Sequence, residues 1–145
     1  MPPFDTMLKN YRKVTGTNPA ANNQIDQVIS SDLSELWVVK LTLVTSATAA
    51  TRTVTVQIQD PDNEVLWQRV SPATQTASQT RYYQFFRELV SEDSAFDGAG
   101  YIKLRLPNLP LKSGFRIVTS VANWQTTDDW GAPIFYVAEY AKSSF

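Results

Sequence analysis

Val54, Val56 and Ile58 alternate with Thr53, Thr55, Gln57 and Gln59, and from residue 24 onward the chain repeats this pattern again and again. Apolar residues at every second position mark a strand with one face buried and the other in water. Trp37, Val39, Leu41 and Leu43 alternate with Val38, Lys40 and Thr42, and Ile102, Leu104 and Leu106 alternate with Lys103 and Arg105. Phe115, Ile117 and Val121 share one parity, and Ile134, Tyr136, Ala138 and Tyr140 read as the last inward set. A slip of one residue would put any of these apolar sets in water, so the pattern also specifies register.

Turn chemistry separates the strands. Asp60-Pro61-Asp62-Asn63 reads as a type I turn with Pro at its second position. Pro107 to Gly114, residues 91–100 and Thr126 to Gly131 read as loops, and residues 84–91 have only weak helical periodicity. The expected strands number about eight, near 24–30, 34–46, 51–60, 64–70, 76–86, 101–106, 115–124 and 132–140. That count predicts an all-β, antiparallel β-sandwich, jelly-roll-like in topology, as a single domain over residues 24–145. An immunoglobulin-like sandwich is the alternative, without the Cys pair that marks antibody-type domains.

Residues 1–23 differ in composition, with Pro2, Pro3, Gly16, Pro19 and several Asn. They read as an extended N-terminal arm or a disordered tail. An arm would order against a partner through Phe4, Met7, Leu8 and Tyr11, with Lys9, Arg12 and Lys13 as its cations. Deleting 1–23 is then expected to leave the fold intact and weaken attachment.

The chain of 145 residues contains no His and no Cys. That removes the usual proton shuttle, the Ser-His and Cys-His nucleophile pairs, and the common zinc ligands. No cofactor, metal or catalytic residue is expected, and the protein reads as a non-enzyme. Net charge is −1 and no Lys/Arg stripe is visible, so no nucleic-acid partner is expected; nor is a membrane, since no apolar run approaches a bilayer span and no secretory signal is seen.

Three clusters stand out. Asp60, Asp62 and Glu64 loosely match a calcium loop, but Pro61 and the missing Gly favour a turn capped by its own Asp. Asp128 and Asp129 beside Trp124 and Trp130 suggest a saccharide site, with rings to stack on sugars and carboxylates to take hydroxyls; a solvated loop with Trp packed across the sandwich end is the plainer reading. Thr76, Gln79, Arg81 and Tyr82 lie in a Thr/Gln-rich and then aromatic-basic stretch, the types found at subunit interfaces.

The hairpin from Val54 to Trp67, the stretch Thr74 to Ala77, Leu106-Pro107 with Leu111 to Ile117, and the segment Gln125 to Tyr140 together resemble small β-sandwich virion proteins of tailed bacteriophages. The resemblance covers about residues 25–140 as a general pattern. It implies a jelly-roll-like capsid decoration (cement) protein or another head, neck or tail component. Such a protein would be made in the host cytoplasm, would sit on the virion and bind the major capsid protein, and would form a trimer or dimer. No residue role carries over. A carbohydrate-binding module is the rival reading.

Overall fold

The alternating segments pair as two sheets packed face to face. A computed structural model of the chain describes residues 9–29 and 33–140, and among them there are strands and turns but no helix. The strands are β1 (Lys9–Thr15), β2 (Asp26–Val28), β3 (Ser34–Val44), β4 (Thr53–Gln59), β5 (Val65–Val70) and β6 (Thr80–Arg87), followed by β7 (Tyr101–Leu106), β8 (Pro110–Leu111), β9 (Arg116–Ala122), β10 (Asp129–Trp130) and β11 (Ile134–Tyr140). The larger sheet runs β1-β11-β3-β6-β7, with β8 and β10 also paired to β3; the smaller runs β2-β9-β4-β5.

The pairings β1·β11, β2·β9, β3·β6 and β4·β5 are antiparallel and nested, the first strand with the last and so inward to the β4–β5 turn. Successive pairs fall in alternate sheets, which is the wrapped ribbon of a jelly roll. The described strands number eleven rather than about eight. β8 and β10 are too short to show as a period, and β1 falls inside the segment read as an arm. One pairing departs from an antiparallel sandwich: β6 and β7 are parallel, and residues 88–100 make the long connection that parallel neighbours need.

The inner faces supply the core. Leu41, Val54, Val56, Ile58, Tyr83, Phe85, Ile102, Leu104, Ile117 and Phe135 are all buried, each stabilising by about 1.5–3 kcal/mol. Trp67 of the smaller sheet meets Phe85 of the larger edge-on, ring centroids 6.0 Å apart, joining the two layers. The Asp60 turn forms as expected: its carboxylate accepts from the amides of Asp62 and Glu64. Gly114 packs on that turn at φ 87°, with Pro61 Cγ 2.6 Å from where a Cβ would lie, so only glycine fits.

Two inward sets differ from expectation. A register shift between Tyr136 and Val137 leaves Trp37 without an opposite residue on β11, and this bulge turns its ring out of the core. There it meets Tyr11 edge-on at 5.9 Å and lies beneath the Arg87 guanidinium. On β11 the buried residues are Phe135, Val137 and Ala138; Ala138 is buried as expected, whereas Ile134 and Tyr136 are not. Nearly every residue of that strand is apolar, so hydropathy leaves its parity open and the ladder to β3 decides it.

The arm expectation also changes. Lys9, Tyr11, Arg12 and Lys13 belong to β1, which pairs with β11 through seven positions and forms one edge of the larger sheet. Deleting 1–23 would therefore strip an edge strand. Phe4, Met7 and Leu8 lie outside the described residues.

The opposite edge, β7, is closed by carboxylates. The amides of Tyr101, Lys103 and Arg105 donate to Asp97, Asp93 and Glu92, so donors that would otherwise invite another strand are occupied. The Arg105 amide bond is the main cause holding Glu92 below the ordinary carboxylate range; for Asp97 it is the Tyr101 amide bond. A carboxyl depressed by folding contributes above its unfolded pKa and loses that contribution as pH falls through its lowered value. Asp93→Ala should speed hydrogen exchange of the Lys103 amide roughly tenfold or more at neutral pH. Acidification should loosen the Tyr101 and Arg105 amides of the wild type in the same way. Protection, taken relative to the intrinsic exchange rate at each pH, that is unchanged by both would show that the caps do not hold the edge.

Candidate interaction surfaces

The residues read as a saccharide site belong to the interior. Trp130 is 0% exposed, its ring edge-on to Tyr83 and its Nε1 donating to Gln24 Oε1 at 2.9 Å. Asp128 is also 0% exposed and forms a two-point ion pair with Arg52: Nε to Oδ2 at 3.0 Å and Nη2 to Oδ1 at 2.9 Å. The same carboxylate accepts from the amides of Ser46 and Gln125. Burial alone would raise its pKa; the Arg52 bonds and the two amides outweigh that and hold it below the ordinary range. Trp124 is half-buried with its Nε1 on the Asn22 carbonyl, and only Asp129 of the four is exposed. These residues offer no paired rings and carboxylates to a sugar. They close one end of the sandwich.

The stretch 71–80 completes that closure. Gln75, 0% exposed, donates to the carbonyls of Leu43 and Gln79 and accepts from the Tyr83 hydroxyl. That buried phenol is harder to ionise than an ordinary tyrosine, because burial penalises its charged form. The structure does not bring Thr76, Gln79, Arg81 and Tyr82 onto one surface. Thr76 and Gln79 bond each other and Thr45 within the end cap. Arg81 lies over the Phe96 ring, and Tyr82 alone reaches the outer face of the larger sheet, stacked on Tyr101 at 4.4 Å. Among the described residues no group of three acidic side chains is placed to hold a metal.

Two broad sheet faces remain. The outer face of the smaller sheet is built from Thr53, Thr55, Gln57 and Gln59 of β4 and their cross-strand partners Gln68, Val70, Val118 and Ser120. Among the described residues its one charged pair, Arg116 with Asp26, is joined internally at 2.9 Å. Arg116 donates to Gln59 across the β9–β4 pair, Gln59 to Gln57 along β4, and Gln57 to Gln68 across the β4–β5 pair. Beside this ladder, edge strand β5 exposes Val65, Leu66 and Val70. Period-2 reading gave the polar parity of β4, but only the register shows that its glutamines form one connected layer. The outer face of the larger sheet is different: it carries aromatic rings and cations.

No family model matches the chain, and no curated protein matches it. It is similar to solved chains of infectious bursal disease virus. One is from the Gx strain, with TM-score 0.38, 12% identity, and coverage of 94% of this chain and 33% of that one. Another is from the T13 viral particle, with TM-score 0.35, 15% identity, and coverage of 91% and 31%. A third is the D431N mutant VP2 protein in derived T=1 particles, with TM-score 0.31, 15% identity, and coverage of 94% and 30%. The chain spans about a third of the length of the chains it matches.

Proposed function

We propose that this protein is a non-enzymatic structural component of a virus particle, and within that role a capsid decoration (cement) protein of a tailed bacteriophage. In this reading it is made in the host cytoplasm and resides on the capsid surface. It seats on the major capsid protein and on copies of itself. The observation that carries the reading is the outer face of the smaller sheet together with edge strand β5. A flat layer of Thr, Gln and Val can be covered by a partner without desolvating unpaired charge. The cross-sheet glutamine bonds order that layer before contact, which lowers the entropy lost on docking. Val65, Leu66 and Val70 give the contact an apolar centre beside a strand edge open to pairing. The jelly-roll pairing supplies a stiff scaffold, and the segment before β1, with Phe4, Met7 and Leu8, is assigned a further contact with the neighbouring subunit.

Mass spectrometry of density-banded particles from the virus that encodes the chain should find it in many copies. Its absence from such particles overturns the reading. Stripped particles should rebind added protein, and Leu66→Lys with Val70→Lys should weaken rebinding by roughly tenfold or more. Val90→Lys, at a residue 93% exposed and away from that face, should not.

A further inference from the structure

Four cations meet on the outer face of the larger sheet, although they come from positions 13, 40, 103 and 105 of the chain. The burial of Leu41, Phe85, Leu104 and Phe135 on the inner side turns their sequence neighbours outward. The register then lines these up in two adjacent rows. One row reads Thr15, Ile134, Lys40, Gln84, Lys103; the next reads Lys13, Tyr136, Val38, Phe86, Arg105. The two rows contain no carboxylate. Lys13, Lys40 and Lys103 have no ion-pair partner among the described residues, whereas Arg105 is anchored on the Leu89 and Val90 carbonyls. At about 4.8 Å per strand the cations span roughly 19 Å of flat surface.

Rings lie between them. Lys40 sits 5.5 Å from the centroid of Tyr136, and Phe86 stands between Val38 and Arg105. The Tyr82–Tyr101 stack flanks the Lys40 row. Phe86 and Lys103 also line a shallow open cleft of about 600 Å³ with Leu89 and Val90, where Arg87 and Lys103 face Glu88 and Asp93.

We propose that this face binds single-stranded nucleic acid. The cations match a run of phosphates, and the interspersed rings match unpaired bases, which stack on aromatic side chains without regard to sequence. An acidic protein segment would use the cations and leave the rings idle. A net charge of −1 conceals the patch, whose two rows hold four cations and no carboxylate; at the β7 end Asp93 and Asp97 lie beside Lys103 and Glu92 beside Arg105, each already accepting a backbone amide, and Asp128 lies inside. The inference stands apart from the virion reading, and its test in solution does not require a particle.

Fluorescence anisotropy with labelled oligothymidylate and oligouridylate tests it. If four cations each neutralise one phosphate, affinity should fall about fifty-fold between about 50 mM and 200 mM NaCl. The triple variant Lys13→Gln, Lys40→Gln, Lys103→Gln should fall only about threefold over that range. It should also bind at least tenfold more weakly at the lower salt. Tyr136→Leu should lose about fivefold or more at both salts with the salt slope unchanged, as a lost base stack does. Circular dichroism and thermal unfolding confirm that each variant is folded, and Lys103→Gln alone gives a milder slope change if the triple variant is not. No binding at about 100 µM protein in low salt overturns the proposal. So does a salt slope indifferent to the lysines. Equal binding of polyglutamate overturns it too and assigns the face to an acidic protein.

Discussion

Arg52→Ala should destabilise the fold by about 3–5 kcal/mol, the largest loss expected from any single charged residue here. Arg52 and Asp128 are both 0% exposed and joined at two points. Arg52 also donates to the Ala50 carbonyl and the Ser46 hydroxyl. Removing the guanidinium leaves a carboxylate inside the protein with only the Ser46 and Gln125 amides to hold its charge. Asp128→Asn should cost a similar amount, leaving a buried cation instead. For a chain of this size the loss corresponds to a fall in Tm of roughly 10–15 °C. The pair itself need not stabilise, since two desolvated charges offset much of their mutual attraction. Arg52→Met combined with Asp128→Leu should therefore be less damaging than either truncation alone. Thermal unfolding of the two single variants and the double variant would decide it; a double variant as unstable as the sum of the singles would show that the charges matter individually.

The same site contributes to the acid sensitivity of the fold. Asp128 is held below the ordinary carboxylate range, so its contribution is complete above a pH of about 4. It is lost as pH falls through the lowered value, and Asp128→Asn should remove that part of the acid dependence.

How much of this was legible depends on what alternation can carry. β3, β4, β7 and β9 each set apolar residues against polar ones, and their inward faces were readable apart from Trp37. β11 is apolar on both parities, so its orientation waited on pairing. β1 has one inward apolar side chain packed on the core, Val14, between exposed Lys13 and Thr15, and an edge strand so polar reads as a tail. The buried ion pair does leave a signal in the sequence. Arg52 shares the parity of Val54, Val56 and Ile58. A cation on an inward parity needs a buried acid, and Asp128, two residues before the buried Trp130, is the one that answers it. The cationic face could not be read, because its members come from three strands spread over more than ninety positions.

Trp130→Ala should cost about 3–5 kcal/mol, by lost burial plus the cavity left behind. β10 is only two residues long, so its place against Leu43 and Val44 is held by side-chain packing more than by ladder bonds. Trp130 fills the space beside Tyr83, and its indole N–H bonds Gln24. Gln24 Oε1 also accepts from the Thr119 hydroxyl, whose oxygen in turn accepts the Ile25 amide. Losing the indole therefore loosens the connection before β2 as well as the core, and the Asp128 loop that leads into β10. Trp130→Phe keeps most of the volume and removes the N–H with three ring atoms, so it should cost less, about 2 kcal/mol. The ordering of the two variants separates a packing role from a binding one. If Trp130 served a sugar at the surface, Trp130→Ala would leave stability within about 0.5 kcal/mol of wild type, as surface substitutions do. A buried keystone predicts large and unequal losses, read by urea unfolding as a lower midpoint with an unchanged slope.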